Sequence, residues 1–138
     1  MMKRRKFFKR LGVTALFGGF FTREASSRGS LATDHLLKKG EIQHMVIFDL
    51  SYKEGSKKAI KFLNDGNRIL TGIPVVRDFQ VFLQVSVKND YQYGFSMVFT
   101  NQEDYDTYNN HPDHVAFVEE RWKTEVTDFL EIDFKSPY

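Results

Sequence analysis

Tyr108, His111 and His114 stand close together in the run Tyr-Asn-Asn-His-Pro-Asp-His, and a further histidine, His44, sits far upstream in an apolar stretch. A neutral imidazole has a pKa of about 6.5 and can take a proton from an acidic carbon or a hydroxyl. A tyrosine hydroxyl can donate to an oxygen on which negative charge develops. These residue types could therefore move protons without metal or cofactor. Plainer roles are open to each of them. His111 precedes Pro112, which suits a residue that caps the following helix. His114 can tie that helix to a sheet through a buried hydrogen bond. Tyr108 can be core packing with its hydroxyl at the rim. A metal held by His111 and His114 would have only Asp113 as an evident third ligand, so none is expected. No Gly-rich phosphate loop and no serine in a nucleophile elbow occurs, which argues against nucleotide-dependent and serine-hydrolase chemistry.

These residues need elements to position them. Glu41 to Leu50 alternates, with Ile42, His44, Val46, Phe48 and Leu50 on one face. That pattern predicts a first strand, with His44 turned toward the interior. From Ser56 to Leu70 the apolar residues follow helical spacing, with Gly66 a weak point inside. Thr71-Gly72 ends this helix and Pro74 forbids its continuation. Val75 to Lys88 reads as a strand with Val75, Phe79, Val81, Leu83, Val85 and Val87 on one face, and Asn89-Asp90 as its hairpin turn. Tyr91 to Phe99 reads as the third strand. Thr100 with Glu103 predicts a capping box for a helix carrying Tyr105 and Tyr108. Pro112 suits the first turn of another helix, to about Glu125, with Val115, Val118 and Trp122 as its inward stripe. Val126 to Phe134 is the last strand.

The order β-α-β-β-α-(α)-β predicts an α+β, ferredoxin-like split βαβ sandwich: one antiparallel sheet with helices on one face. The other sheet face is expected to include Met45, Ile47, Phe82, Val98 and Phe129. An apolar face of that kind is most simply buried against a second copy, so a homodimer is expected.

Composition sets the remaining bounds. The chain has 138 residues, room for one ordinary domain, and 14 of them are Phe. It has no cysteine, which excludes disulfides, thiolate nucleophiles and a lipoprotein anchor. Its net charge of +2 divides unevenly. Residues 1–32 hold eight Lys/Arg and one acid, leaving 12 basic and 17 acidic residues in 33–138, a balance of −5. The body therefore lacks a basic nucleic-acid footprint. The front end reads as a twin-arginine export signal over residues 1–32: Arg4-Arg5 before Lys6-Phe7-Phe8-Lys9, then the apolar Leu11 to Phe21, then a small and polar region. Ser30-Leu31-Ala32 and Ala25-Ser26-Ser27 are the two cleavage sites it offers. The apolar stretch is too short to span a membrane, which takes about 20 residues. Delivery to the periplasm or cell envelope is expected, with no stable membrane anchor after signal removal. A polar leader over 33–40, containing His35, precedes the folded domain at 41–138.

The early strand histidine in Ile42-Gln43-His44-Met45-Val46, the Ile73-Pro74 pair, and the Tyr-x-x-His-Pro-x-His run from Tyr108 to His114 together resemble the stress-responsive dimeric α/β-barrel (Dabb) family. The resemblance spans residues 41–134 and implies a dimeric α/β barrel. Some members resemble polyketide cyclases that use a Tyr and a His from this run. Carried over, His114 would be the base, Tyr108 the donor, and His44 a group that orients the substrate or its partner. Val75 and Phe82 stand where members often carry glycine, which implies a narrower pocket beside the second strand. The resemblance leaves several functions open: a non-catalytic protein that binds a small apolar or aromatic ligand between sheet and helices, a cofactor-independent cyclase or lyase acting on a carbonyl compound, or, more remotely, a monooxygenase. No cofactor is expected in the first two. Besides the three candidate catalytic residues, His111, Phe95, Phe48, Val46 and Trp122 are the expected ligand contacts.

Overall fold

The computed structural model describes residues 36–138; the expected export signal and the start of the leader lie outside them. Four strands form one antiparallel sheet in the order β2-β3-β1-β4. β1 spans Ile42–Leu50, and α1 spans Lys57–Thr71. β2 is Arg77–Leu83, β3 Tyr93–Phe99 and α2 Gln102–Asn110. α3 (Pro112–Phe117) runs into a π-helical turn at Val118–Trp122 and a last short helix, α4 (Lys123–Glu125), before β4 (Val126–Lys135). This is the expected ferredoxin-like α+β arrangement, with the core between the sheet and the helices.

β1 alternates in burial along its whole length, with Ile42, His44, Val46, Phe48 and Leu50 inward. β3 lies antiparallel to it, and Phe95, Met97 and Phe99 cover the same face. α1 starts at Ser56, whose hydroxyl accepts from the Ala59 amide, and ends at Gly72, whose amide donates to Ile69 and Leu70 carbonyls. Its buried stripe is Ala59, Phe62, Leu63, Gly66 and Leu70. Phe48 lies at the centre of an aromatic cluster, 4.9 Å by ring centroid from both Phe95 and Trp122 and 5.9 Å from Phe62.

Gly66 is where Phe95 closes against α1 rather than a weak point. A Cβ there would lie 2.9 Å from the Phe95 ring, which is wedged among Phe48, Phe62 and Phe79 and has nowhere to retreat. Gly66→Ala is therefore expected to destabilise the fold by about 1–2 kcal/mol, the overpacking cost exceeding the helix-propensity gain. Thermal denaturation measures this, and an unchanged or raised Tm would contradict it.

The helical layer is fastened electrostatically as well. Asp65 on α1 accepts from Lys61 at 2.6 Å and from Arg121 in the π-helical turn at 2.7 Å; Arg121 also pairs with Glu125. The hydrogen bonds from Lys61 and Arg121 hold the Asp65 pKa down at about 2. A carboxylate lowered by folding stabilises the native state above its unfolded pKa, and that stabilisation is lost as pH falls through the folded value. The Asp65 contribution should be complete above about pH 5 and lost on acidification toward pH 2. Asp65→Asn should cost about 1–2 kcal/mol at neutral pH and only a small fraction of that near pH 2. Denaturant titrations at the two pH values test this; an equal penalty at both would contradict it.

Several expected details shift. β2 stops at Leu83 rather than reaching Lys88, so Val85 and Val87 lie in the following loop and are exposed. Asn89-Asp90 accordingly sits inside a longer connection, where the Gln84 side chain donates to Asn89 and Tyr91. β2 also carries a bulge between Arg77 and Gln80, with Asp78 at φ 49°. Asn101, not Thr100, caps α2 by accepting from the Asp104 amide; the Thr100 hydroxyl accepts from Arg77 instead. Val115 is exposed, and Phe117 takes its place in the inward stripe. Phe129 opposes Phe48 in register and so faces the helices. The open sheet face is completed by Leu130, Ile132 and Phe134, beside Met45 and Ile47 of β1 and Phe82 of β2. No described helix is long and apolar enough to cross a membrane.

Candidate functional site

A cavity of about 350 Å³ lies between the sheet and the helical run from α2 to the π-helical turn. Val46, Phe95 and Met97 form its floor on β1 and β3, and Leu70 of α1 closes one side. Phe117, Val118, Trp122 and Lys123 cover it from the helices, while Phe129 and Glu131 border it on β4. Tyr108, Asn109, His114 and His44 gather at its polar end. A π-helical turn is a frequent companion of functional sites. Two residues of the turn, Val118 and Trp122, meet this cavity.

Tyr108 is buried on the last turn of α2, and His114 lies in the first turns of α3. The corner between them is made by His111. Its backbone is extended, its ring accepts from the Asp113 amide, and Pro112 follows at the first helical position. That corner brings the Tyr108 and His114 rings together, with centroids 4.1 Å apart. The His114 Nδ1–H donates to the Asn109 carbonyl at 3.3 Å. Burial pushes the His114 imidazole below its ordinary pKa, the bond to Asn109 opposing this weakly. Burial, reinforced by the Glu131 charge, pushes the Tyr108 hydroxyl above its ordinary value, so it stays protonated at neutral pH. The hydroxyl makes no hydrogen bond to another described residue.

His44 enters from β1, with its ring centroid 6.1 Å from that of Tyr108. Its Nδ1–H donates to Asp133 Oδ1 at 2.7 Å. The other Asp133 oxygen accepts from the Tyr105 hydroxyl at 2.9 Å, and the same hydroxyl lies 3.2 Å from Glu131. Asp133 opposes His44 directly in the β1–β4 register, and Glu131 is two residues away on the same face. Ligand atoms of His44, Glu131 and Asp133 lie within 4.8 Å of one another, a spacing compatible with a cation. Asp133 accepts from both His44 and Tyr105, and Glu131 lies within reach of the same Tyr105 hydroxyl, which accounts for the geometry without one.

Of the residues singled out in the sequence, His44, Tyr108 and His114 meet at this cavity, as do Val46, Phe95 and Trp122. Phe48 and His111 are not in its lining: Phe48 is sealed in the aromatic cluster, and His111 is engaged as the cap of α3. Phe82 lies on the opposite sheet face, paired with Gly94, so it does not narrow this cavity. Tyr105, Glu131 and Asp133 were missed. For Glu131 and Asp133 the signal is the alternation along β4, which puts Phe129, Glu131 and Asp133 on one face.

Comparison with known proteins agrees with this architecture. Residues 42–136 match the family model of the Stress responsive A/B Barrel Domain. A crystal structure of a Dabb family protein with a ferredoxin-like fold from Mesorhizobium loti is 48% identical; the match covers 70% of this chain and 96% of that one, with a TM-score of 0.68. A dimeric ferredoxin-like protein of unknown function from Bacteroides fragilis matches at 20% identity over 72% and 99% of the two chains (TM-score 0.56). A hydroxynitrile lyase from Passiflora edulis matches at 10% identity over 70% and 94% (TM-score 0.62), a likeness of fold alone. No curated protein matches. With its family model matched over most of its length and a close relative of known structure, the chain belongs to the stress-responsive A/B barrel (Dabb) domain family.

Proposed function

We propose that this chain acts as an exported homodimer in which each cavity holds a small, largely apolar molecule. The observation that carries the reading is the cavity itself: about 350 Å³, apolar over most of its wall, with a few polar groups converging at one end. Small-molecule sites share that design and start at about 300 Å³. Trp122 is the single tryptophan and borders the cavity, so its fluorescence reports occupancy. Titration with small apolar aromatics should give a saturable change that Val46→Phe, which fills the floor, removes. No saturable response from any compound at millimolar concentration would end the reading.

A second reading, proton transfer on a carbonyl compound, is favoured by one specific observation. A neutral His114 imidazole stands beside a protonated Tyr108 hydroxyl that has no partner among the described residues. In this reading His114 is the base, Tyr108 the donor, and His44, fixed by Asp133, orients the substrate.

Two further parts of the proposal rest on other features. The apolar open face with Leu130, Ile132 and Phe134 supports pairing with a second copy, as does the dimeric description of the Bacteroides relative. Export rests on the Arg4-Arg5 sequence and the apolar stretch after it. Arg4→Lys combined with Arg5→Lys should leave at least about nine-tenths of the protein in the cytoplasm, because the twin-arginine route reads the pair itself. Cell fractionation measures it; unchanged export of the double variant would contradict it.

A further inference from the structure

We infer that the cavity is built for a neutral ligand that presents a hydroxyl proton on an apolar body, an alcohol or phenol, and that it turns carboxylates away. This rests on the reading that the cavity binds a small molecule, and it names the chemical class.

His114 sets the hydrogen-bond polarity. Its Nδ1 faces the Asn109 carbonyl, and a carbonyl can only accept, so Nδ1 carries the ring proton. A half-buried imidazole beside apolar side chains resists a second proton. Nε2 therefore keeps its lone pair on a ring that borders the cavity, and what completes it is a donor. Tyr108, packed against the same ring, has a hydroxyl that can donate to or accept from the same ligand group.

The charges point the same way. Glu131 borders the cavity, and Asp133 stands behind His44. Lys123 is the lone lysine or arginine among the bordering residues, and its ammonium is paired with Glu119. An incoming carboxylate could accept from the Tyr108 hydroxyl, but it would also face the His114 Nε2 lone pair and the Glu131 carboxylate. A buried acceptor left facing another acceptor costs more than one left facing an apolar group. An ammonium would suit the acidic wall, but it would have to leave water for a lining dominated by Phe95, Met97, Phe117 and Trp122. A neutral hydroxyl satisfies Nε2 without that cost.

Four ligands with one apolar body separate these outcomes: 4-propylphenol, 4-propylanisole, 4-propylbenzoate and 4-propylbenzylammonium. They are titrated into the full chain at pH 7.5 while Trp122 emission and the ¹⁵N side-chain resonance of His114 are followed. The phenol should bind about tenfold or more tighter than the anisole, the worth of one hydrogen bond to a buried acceptor. It should also shift the His114 Nε2 resonance in the direction of hydrogen-bond acceptance. The benzoate and the ammonium should bind more weakly than the phenol, and Glu131→Gln, a change at an exposed side chain, should narrow the benzoate deficit. Anisole or benzoate binding as tightly as the phenol would overturn the hydroxyl inference while leaving the binding reading intact. The ammonium binding tightest would replace the neutral class with a cationic one. Failure of all four to bind at millimolar concentration would overturn both.

Discussion

Ile132→Asp is expected to abolish the proposed pairing of two copies through the open sheet face, raising its dissociation constant by about 100-fold or more. Ile132 opposes Met45 in the β1–β4 register and lies between Leu130 and Phe134 on the sheet face that carries no helices. All three are substantially exposed in the single chain, as is Phe82 on β2. A patch of this kind is buried when two copies pair. An unpaired carboxylate at its centre would cost about 3 kcal/mol or more on association, which is a little over two decades in affinity. Because the side chain is already accessible in the isolated chain, the substitution should leave the fold of each protomer largely intact. Sedimentation velocity across micromolar concentrations, with circular dichroism as control, reads both consequences. A variant that still sediments as a dimer would remove the open face from the interface.

Phe48→Ala should be the most damaging single truncation, costing roughly 3–5 kcal/mol. Phe48 is fully buried, and its ring meets Phe62, Tyr93, Phe95 and Trp122. Its removal opens a void at the junction of sheet, α1 and the π-helical turn, where collapse would require four aromatic rings to move together. A single domain commonly has only about 5–15 kcal/mol in hand, so the variant should be close to unfolding at 37 °C. Chemical denaturation measures the loss. A penalty below about 1 kcal/mol would contradict the placing of Phe48 at the centre of the core.

The fold was legible because period and punctuation agreed. The strict alternation of β1, the helical stripe from Ala59 to Leu70, and the breakers Gly72, Pro74 and Pro112 each point to one element type. The trio His44, Tyr108 and His114 was legible for the same reason, since each lies on a face whose direction follows from its neighbours. What failed was phase. The bulge at Asp78 adds a residue to β2, and no side-chain pattern announces where a strand leaves the ladder, so Val85 and Val87 read as a continuation of the strand face. In β4 both faces carry apolar residues, and Phe129 was assigned to the wrong one; pairing with Phe48 decides it. Asp133 and Glu131 look like solvated charges in an edge strand until the register sets Asp133 opposite His44. The sequence alone allows His111 to be either a cap or a ligand contact. The extended backbone that Pro112 imposes, with the Asp113 amide donating to its ring, uses that side chain as a cap.

The functional account depends on an apolar space between the sheet and the helices being open in the folded protein. Crystals of the protein exposed to pressurised xenon test it without any assumption about the ligand, because xenon settles in empty apolar cavities. Xenon should appear between Val46, Phe95, Met97 and Phe117, within reach of Trp122. A refined structure with no xenon there, and with the side chains of Trp122 and Phe117 closed onto the sheet, would contradict it.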